Sequence, residues 1–258
     1  MKFFDVLGIR FAALDYRQAI TALESFIRDG RAHYVTLTNV HAVTESQYDP
    51  ALKSALNSAD LVLPDGMPIA WAGNIAGHGL KDRVCGPDLM LKFIQRTSHR
   101  GYRHFFFGGA EGVADELAAK LKKMCPEMVV AGTYCPPFRP LTRPEEAELA
   151  KLVNDQVDVL WVGLGCPKQE KWMHEHQHLR IGVMLGVGAA FDFHTDRIAR
   201  APRWMQQSGL EWVFRLSQDP RRLWRRYLVY NSLFLVFYLS QQLNLRRFEV
   251  ATSKATGR

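Results

Sequence analysis

Short apolar runs alternate along the chain with glycine-rich turns and amphipathic segments. In the second half, the apolar runs 103–107, 157–162 and 181–185 each lead into a turn rich in glycine. Helical patterns cover 50–57 and 113–124. This repetition of strand, turn and helix predicts the α/β class, with a Rossmann-like, mostly parallel sheet and helices on both faces.

One apolar run ends in a carboxylate. The run 61–63 predicts a buried strand, which a Pro-Asp-Gly turn ends. Asp65 therefore follows the carboxyl end of a strand, where ligands bind in open α/β sheets, and it is a candidate general base. The structural alternative is that Asp65 caps a helix starting near Met67, since Asp is a favoured N-cap and Pro68 suits a first turn.

Three predicted turns could bind phosphate. At Gly108, Gly163 and Gly186, backbone N–H groups and helix N-termini would point at a diphosphate. Neither a dinucleotide-binding G-x-G-x-x-G pattern nor a P-loop occurs, which disfavours a nicotinamide cofactor and a P-loop site. Because D-x-D is also absent, we expect a site without metal or cofactor, in which amides and cations such as Arg83 stabilise the departing charge. The structural alternative for Arg83 is a surface ion pair with a neighbouring aspartate.

Composition indicates an ordinary globular protein, 47% apolar and 23% charged. Residues 1–5 lack the apolar region of a signal peptide, and no run of 18 or more apolar residues is free of polar interruption. The four cysteines lack the close spacing of a metal site, which fits reduced thiols. These features predict a cytoplasmic protein.

The positive charge is concentrated near the C-terminus. From Arg197 onward there are twelve Lys and Arg and three Asp and Glu, a net charge of +9, which leaves about −2 for the rest of the chain. Such an asymmetry predicts an anionic partner, either nucleic acid or an acidic membrane surface. We expect no nucleic acid, because the basic segment is too apolar and lacks the spaced aromatic residues of a stacking platform.

The same segment predicts an amphipathic helical appendage. A helix restarts at Asp219, and its basic stripe is formed by Arg221, Arg222, Arg225 and Arg226. The apolar run 227–239 that follows would rise about 20 Å as a helix, short of a bilayer core of roughly 30 Å. We therefore expect it to lie in the membrane surface, with Leu233, Phe234 and Phe237 on the inserted face. The alternative is a helix packed on the core or between copies of the chain.

Eight motifs extend over nearly the whole sequence. They are Thr38-Asn39-Val-His41, Leu-Pro-Asp65-Gly66-Met, Asp-Arg83-Val-Cys-Gly86, Phe-Gly-Gly-Ala-Glu, Gly163-Leu-Gly-Cys-Pro-Lys-Gln169-Glu170, Gly186-Val-Gly-Ala-Ala-Phe-Asp192, Arg-Ala-Pro202 and Gly-Leu-Glu211-Trp-Val-Phe-Arg215-Leu. In combination they closely resemble the WecG/TagA/CpsF glycosyltransferases, family 26.

The resemblance implies an inverting, metal-independent enzyme that moves a sugar from a UDP-sugar to a polyprenyl-diphosphate-linked saccharide. Such enzymes act in bacterial cell-envelope or exopolysaccharide synthesis, as peripheral proteins on the cytoplasmic face of the inner membrane. The donated sugar (N-acetylmannosamine, its uronic acid or glucose), the acceptor saccharide and a homo-oligomeric state stay open. An alternative from another class is a non-catalytic, membrane-tethered nucleotide-binding module, which has no need of Asp65.

By matching position, the resemblance makes Asp65 the catalytic base. The substrate-binding residues that it implies are Thr38, Asn39, Arg83, Gln169, Gly188, Asp192, Glu211, Arg215, Arg222 and Arg225. Gly188 and Asp192 would hold the nucleotide, whereas the arginines of the C-terminal segment would reach the substrate diphosphate. The chain is thereby divided into an α/β catalytic domain, 1–200, and a membrane-docking appendage, 201–258.

Overall fold

The structure, a computed structural model, describes residues 1–250 of the chain. Its strands are β1 (Phe3–Val6), β2 (Ile9–Ala12), β3 (His33–Thr38), β4 (Leu61–Pro64), β5 (Arg103–Gly108), β6 (Val129–Tyr134), β7 (Val159–Gly163) and β8 (Val183–Gly186). Its α-helices are α1 (Tyr16–Arg28), α2 (Val40–Glu45), α3 (Pro50–Asn57), α4 (Met67–Ile75), α5 (Gly86–Thr97), α6 (Val113–Met124), α7 (Arg143–Val153), α8 (Lys168–Glu175), α9 (Ala190–His194), α10 (Arg203–Gln207), α11 (Glu211–Gln218), α12 (Pro220–Trp224) and α13 (Tyr230–Gln242). A π-helical stretch, Arg225–Val229, joins α12 to α13.

A six-stranded sheet confirms the predicted α/β class. The strand order is β4-β3-β8-β7-β5-β6, and the pairs β3–β8, β8–β7, β7–β5 and β5–β6 are parallel. Every residue of β3, β4 and β8 is buried, as expected of parallel strands covered by helices on their faces. The strands β1 and β2 form a separate antiparallel hairpin.

The described chain forms two compact units, each built from separate stretches of sequence. The first unit contains Met1–Asp15, Leu37–Val84 and the described chain from Arg200 onward, and the second contains Tyr16–Thr36 and Cys85–Ala199. The functional division into a catalytic domain, 1–200, and a docking appendage, 201–258, stays a prediction.

The core of the first unit includes part of α13. Phe234 is 3% exposed and lies in one cluster with apolar residues of the β1–β2 hairpin, α2, α3 and α4, while Phe237 packs against that cluster. The expectation that Phe234 belongs to a membrane-inserted face is therefore wrong. A helix packed in a protein core has the same spacing of apolar residues as a helix in a membrane surface. The close-packed core gives Phe234 more atomic contacts than a membrane surface would.

The opposite face of α13 is apolar and exposed. Leu235, Val236, Leu239 and Leu243 are 59%, 61%, 58% and 66% exposed. Leu235, Leu239 and Leu243 are four residues apart, and Val236 precedes Leu239 by three, so all four side chains lie on one side of the helix. Large exposed apolar patches mark interaction surfaces. Among residues 1–250, no helix has both the length and the apolar character that crossing a bilayer requires.

Candidate active site

Asp65 lies beside the end of a neighbouring strand in the first unit. Its backbone N–H donates to the carbonyl oxygen of Thr38 over 3.0 Å, so the chain just beyond β4 stays alongside the last residue of β3. Gly66, with a φ of 110°, is the N-cap of α4, and no side-chain hydrogen bond caps this helix. The interpretation of Asp65 as a helix cap is therefore wrong, and its carboxylate is left for other chemistry.

The surroundings of Asp65 make it a better base than an ordinary aspartate. The pKa of Asp65 is raised to about 6, mainly because the carboxylate is buried, and the negative charge of Glu211 contributes in the same direction. Arg83, Arg215 and Arg226 oppose this shift, because each guanidinium stabilises the ionised carboxylate. A carboxylate with a pKa near 6 is still ionised at neutral pH and accepts a proton more readily than one near 4.

Arg83 forms an ion pair with Glu211, the first residue of α11. The two side chains are only 12% and 16% exposed. The carboxylate of the neighbouring Asp82 accepts a hydrogen bond from the backbone N–H of Arg83 over 2.8 Å. The surface-pair alternative for the Arg83 side chain is therefore wrong. Glu211 holds this guanidinium in the unit that contains Asp65, and the substrate-binding roles of both residues stay predictions.

Asn39 has a structural task next to this cluster. Its side-chain oxygen accepts a hydrogen bond from Ala42 N over 3.2 Å and caps α2, a six-residue helix that the sequence did not predict. Thr38, immediately before it, is fully buried. Both residues lie on the chain segment beside Asp65, and their contact with substrate stays a prediction.

His41, on α2, is a neutral side chain near the same charges. Burial and the positive charge of Arg226 lower the pKa of His41 to about 3. Its Nε2 is 3.3 Å from a carboxylate oxygen of Glu45, and its ring meets that of Tyr230 edge-on, with 4.8 Å between the centroids. The sequence placed His41 within a motif without assigning it a role.

Among the predicted C-terminal arginines, Arg215 is the one whose charge helps to set the pKa of Asp65, which it lowers. Arg222 is exposed, and its Nε lies 2.6 Å from a carboxylate oxygen of Asp219, while Arg225 is exposed as well. Instead Arg226, which was part of the basic stripe but not a predicted site residue, belongs to the charged surroundings of Asp65. Helical spacing could not choose between adjacent arginines, because a π-helical stretch changes which side chains share a face.

Gln169 links two glycine turns in the second unit. It is 3% exposed, and its side-chain oxygen accepts from Gly165 N over 3.2 Å and from Gly188 N over 3.0 Å. Its side-chain nitrogen donates to Glu170 over 3.0 Å. The amides of Gly165 and Gly188 are thus used within the protein. That the glycine turns point N–H groups at a diphosphate stays a prediction.

The turns after β5 and β7 touch each other. A side chain at Gly108 would place its Cβ 2.5 Å from the carbonyl oxygen of Gly163, and Gly109 N donates to that oxygen over 3.2 Å. Asp192 lies in the first turn of α9, where its backbone carbonyl accepts from Arg197 N over 2.9 Å. Asp192 is half-buried, and its nucleotide contact, like that of Gly188, stays a prediction.

Comparison with known proteins places these features in a wider group. A sequence model described as the glycosyl transferase WecG/TagA/CpsF family matches residues 4–248. An N-acetylglucosaminyldiphosphoundecaprenol N-acetyl-beta-D-mannosaminyltransferase of Bacillus spizizenii is 29% identical over 205 residues, which are 79% of this chain and 78% of the relative. A protein of the same name from Bacillus subtilis is 29% identical over 174 residues, which are 67% of this chain and 66% of the relative.

Proposed function

We propose a function from the premise that the chain belongs to the WecG/TagA/CpsF glycosyltransferase family. The protein is an inverting enzyme that transfers a sugar from a UDP-sugar to a polyprenyl-diphosphate-linked saccharide. The names of the two relatives support N-acetylmannosamine as the donated sugar, ahead of its uronic acid and glucose. They also support an acceptor whose terminal sugar is N-acetylglucosamine. Such a reaction belongs to the synthesis of bacterial cell-envelope or exopolysaccharide chains.

The observation that carries this proposal is the position of Asp65, directly after β4 and among the charges of Arg83 and Glu211. The Asp65 carboxylate takes the proton of the acceptor hydroxyl while that oxygen attacks the anomeric carbon of the donor. A new C–O bond forms on the face opposite the nucleotide, and the bond between the anomeric carbon and the diphosphate oxygen breaks. UDP leaves with the electron pair, so the anomeric configuration is inverted.

Cationic side chains would stabilise the departing diphosphate in this reaction. Glu211 keeps Arg83 in place, and Arg215 supplies a second guanidinium near Asp65. Preorganised cations stabilise charge as it develops in the transition state, so the proposed reaction needs neither a metal ion nor a cofactor.

The exposed face of α13 suits a membrane surface. Apolar side chains on this face would enter the headgroup region, and the exposed Arg222, Arg225, Arg246 and Arg247 would attract anionic lipids. A lipid-linked acceptor lies in that surface, so the enzyme would meet its substrate there as a peripheral protein. We assign it to the cytoplasmic face of the inner membrane, where UDP-sugars are available.

The test is UDP release from a panel of UDP-sugars, with and without a short-chain prenyl-diphosphate N-acetylglucosamine. We expect UDP-N-acetylmannosamine to give rapid UDP release and an extended lipid product only when the acceptor is present. The alternative, a non-catalytic nucleotide-binding module, would bind UDP and release none from any donor. Acceptor-dependent transfer of another sugar would keep the reaction and replace the donor.

A further inference from the structure

Arg226 differs from the other arginines of its helix. Arg221, Arg222 and Arg225 are exposed, whereas Arg226 is half-buried. It lies in the π-helical stretch between α12 and α13. Single π-helical turns occur frequently at functional sites, because they redirect a side chain while the helix continues.

The buried part of Arg226 lacks an acceptor. Its Nε is buried and donates no hydrogen bond to any residue in the described range 1–250. The guanidinium carbon is 5.9 Å from the ring centroid of the adjacent Tyr227, at the outer limit of a cation–π contact. A buried N–H of a charged group that has no acceptor destabilises the folded chain. An anionic ligand that accepts a hydrogen bond from Arg226 Nε would remove this destabilisation.

The charges around Arg226 favour such a ligand. Arg226 is close enough to Asp65 and to His41 to lower the pKa of both. His41 is neutral at physiological pH, so it carries no positive charge that would bind an anion. Arg83 is paired with Glu211, whereas within the part of the chain that the structure describes no ion pair joins Arg226 to a carboxylate.

We propose that Arg226 binds a diphosphate ester next to Asp65, as an additional substrate-binding residue. This inference rests on the proposed function and deepens it. The planar guanidinium can donate two parallel N–H hydrogen bonds to phosphate oxygens, which a lysine cannot reproduce. A diphosphate is common to UDP on the donor and to the lipid diphosphate on the acceptor, and the experiment separates the two.

The experiment uses the full chain and three variants, Arg226→Gln, Arg226→Lys and Arg203→Gln. Arg203 is an exposed arginine of the same unit with no assigned role, so its variant is the matched control. Calorimetry would measure the binding of inorganic pyrophosphate and of UDP, and steady-state kinetics would measure KM for a water-soluble short-chain acceptor. We expect Arg226→Gln to weaken at least one of these by roughly 10- to 100-fold. Arg226→Lys should fall between it and the wild type, and Arg203→Gln should match the wild type.

Each outcome decides between roles. Weakened UDP binding assigns Arg226 to the donor, and a raised acceptor KM alone assigns it to the lipid diphosphate. Unchanged values in both arms overturn the proposal. The melting temperature of Arg226→Gln should equal or exceed that of the wild type, because an unsatisfied buried donor is lost. A lowered melting temperature with equal losses for every ligand would mean a structural role and would also overturn it.

The two proposals can fail separately. Pyrophosphate binding requires no turnover, so a chain that binds pyrophosphate through Arg226 but transfers no sugar would overturn the proposed function alone. Conversely, sugar transfer that is insensitive to Arg226→Gln would overturn only the role of Arg226.

Discussion

Glu211 forms an ion pair with Arg83, a residue 128 positions earlier in the sequence. The pair joins the start of α11 to the segment that follows α4, and both side chains are largely buried. The Glu211 carboxylate offsets the charge of this guanidinium. The electrostatic field at Asp65 therefore depends on two residues that are distant from each other in the sequence. Glu211 is therefore a positioning residue in the proposed reaction, and its effects should appear in both stability and pH dependence.

Replacing Glu211 by Gln should leave Arg83 as an uncompensated, largely buried charge. We expect a loss of roughly 3 kcal/mol in the free energy of unfolding. The acid limb of the kcat/KM profile should move to lower pH, because Glu211 no longer raises the pKa of Asp65 while Arg83 still lowers it. Chemical denaturation and a pH series of initial rates would measure the two effects.

The double variant Glu211→Gln, Arg83→Gln gives the control for this pair. Its loss of stability should be smaller than the sum of the two single losses, with a coupling energy of about 1 to 3 kcal/mol. The exposed pair Arg31–Asp29 should show a coupling of less than about 1 kcal/mol. Additive losses for Glu211 and Arg83 would contradict the positioning role.

Asp65→Asn should abolish most turnover while the fold persists. General-base assistance contributes typically 10² to 10⁴-fold, so kcat should fall by about that factor with UDP affinity unchanged. Asp5→Asn, at an exposed carboxylate of the same unit, should keep wild-type rates. Initial rates and calorimetric UDP binding check this prediction. Near wild-type turnover in Asp65→Asn would show that Asp65 is not the general base.

The pH dependence of stability should also report on Asp65. Its pKa in the folded chain is about 6, above the ordinary value of 3.8, so the folded state holds this proton more tightly than the unfolded state. Below about pH 4 both states are protonated and the site has no effect. As the pH rises through 6, the wild type should lose roughly 2 to 3 kcal/mol relative to Asp65→Asn. Parallel stability curves from pH 4 to 7 would contradict the raised pKa.

Sugar transfer should continue in excess EDTA. The expectation comes from the absence of D-x-D and from the guanidinium groups near Asp65, which can stabilise the leaving diphosphate. Product formation would be followed before and after chelation and after adding Mg²⁺ or Mn²⁺. Activity that disappears with EDTA and returns with either ion would show that carboxylates such as Asp192 bind a metal.

The exposed face of α13 should control membrane recruitment. Leu235→Ser with Leu239→Ser should abolish flotation with anionic vesicles and keep the melting temperature, since both side chains are exposed. Charge reversal of Arg222 and Arg225 should weaken recruitment, more so at low salt, where headgroup attraction is least screened.

Two further variants make this test specific. Met124→Ser changes an apolar side chain of similar exposure, 56%, in the second unit and should leave flotation unchanged. Phe234→Ser should instead destabilise the protein by about 3 kcal/mol or more, since Phe234 lies in the core. Wild-type flotation of the Leu235 and Leu239 variant would exclude this face from membrane contact.

Periodicity and turn residues predicted most of the elements. The helices at 50–57 and 113–124 have the predicted bounds, because Pro50 occupies a first turn and α6 has a regular apolar face. The helix α2 was missed, since it has six residues and starts inside a polar motif whose Asn39 is its N-cap. Local pattern predicts where a segment is regular, but a short helix depends on its cap and on tertiary packing.

The candidate site was only partly predictable. Asp65 could be found because strand, turn and carboxylate are adjacent in sequence. The pairing of Arg83 with Glu211 and the presence of Arg226 among the charges near Asp65 depend on tertiary structure. Gln169 stays a predicted substrate contact, and its side-chain oxygen also joins two turns through Gly165 and Gly188. Sequence motifs identify such residues without saying whether they face the ligand or the protein.

Three of the charged groups that shift the pKa of Asp65 lie far beyond it in the sequence and are synthesised after it. Glu211, Arg215 and Arg226 emerge from the ribosome more than 140 residues after the carboxylate whose pKa they shift. Chains fold progressively during synthesis, so an incomplete chain carries the Asp65 carboxylate without these three charges. The helix α13 begins four residues after Arg226. The order of translation thus delays the assembly of this group of charges until the start of α13 is also being made.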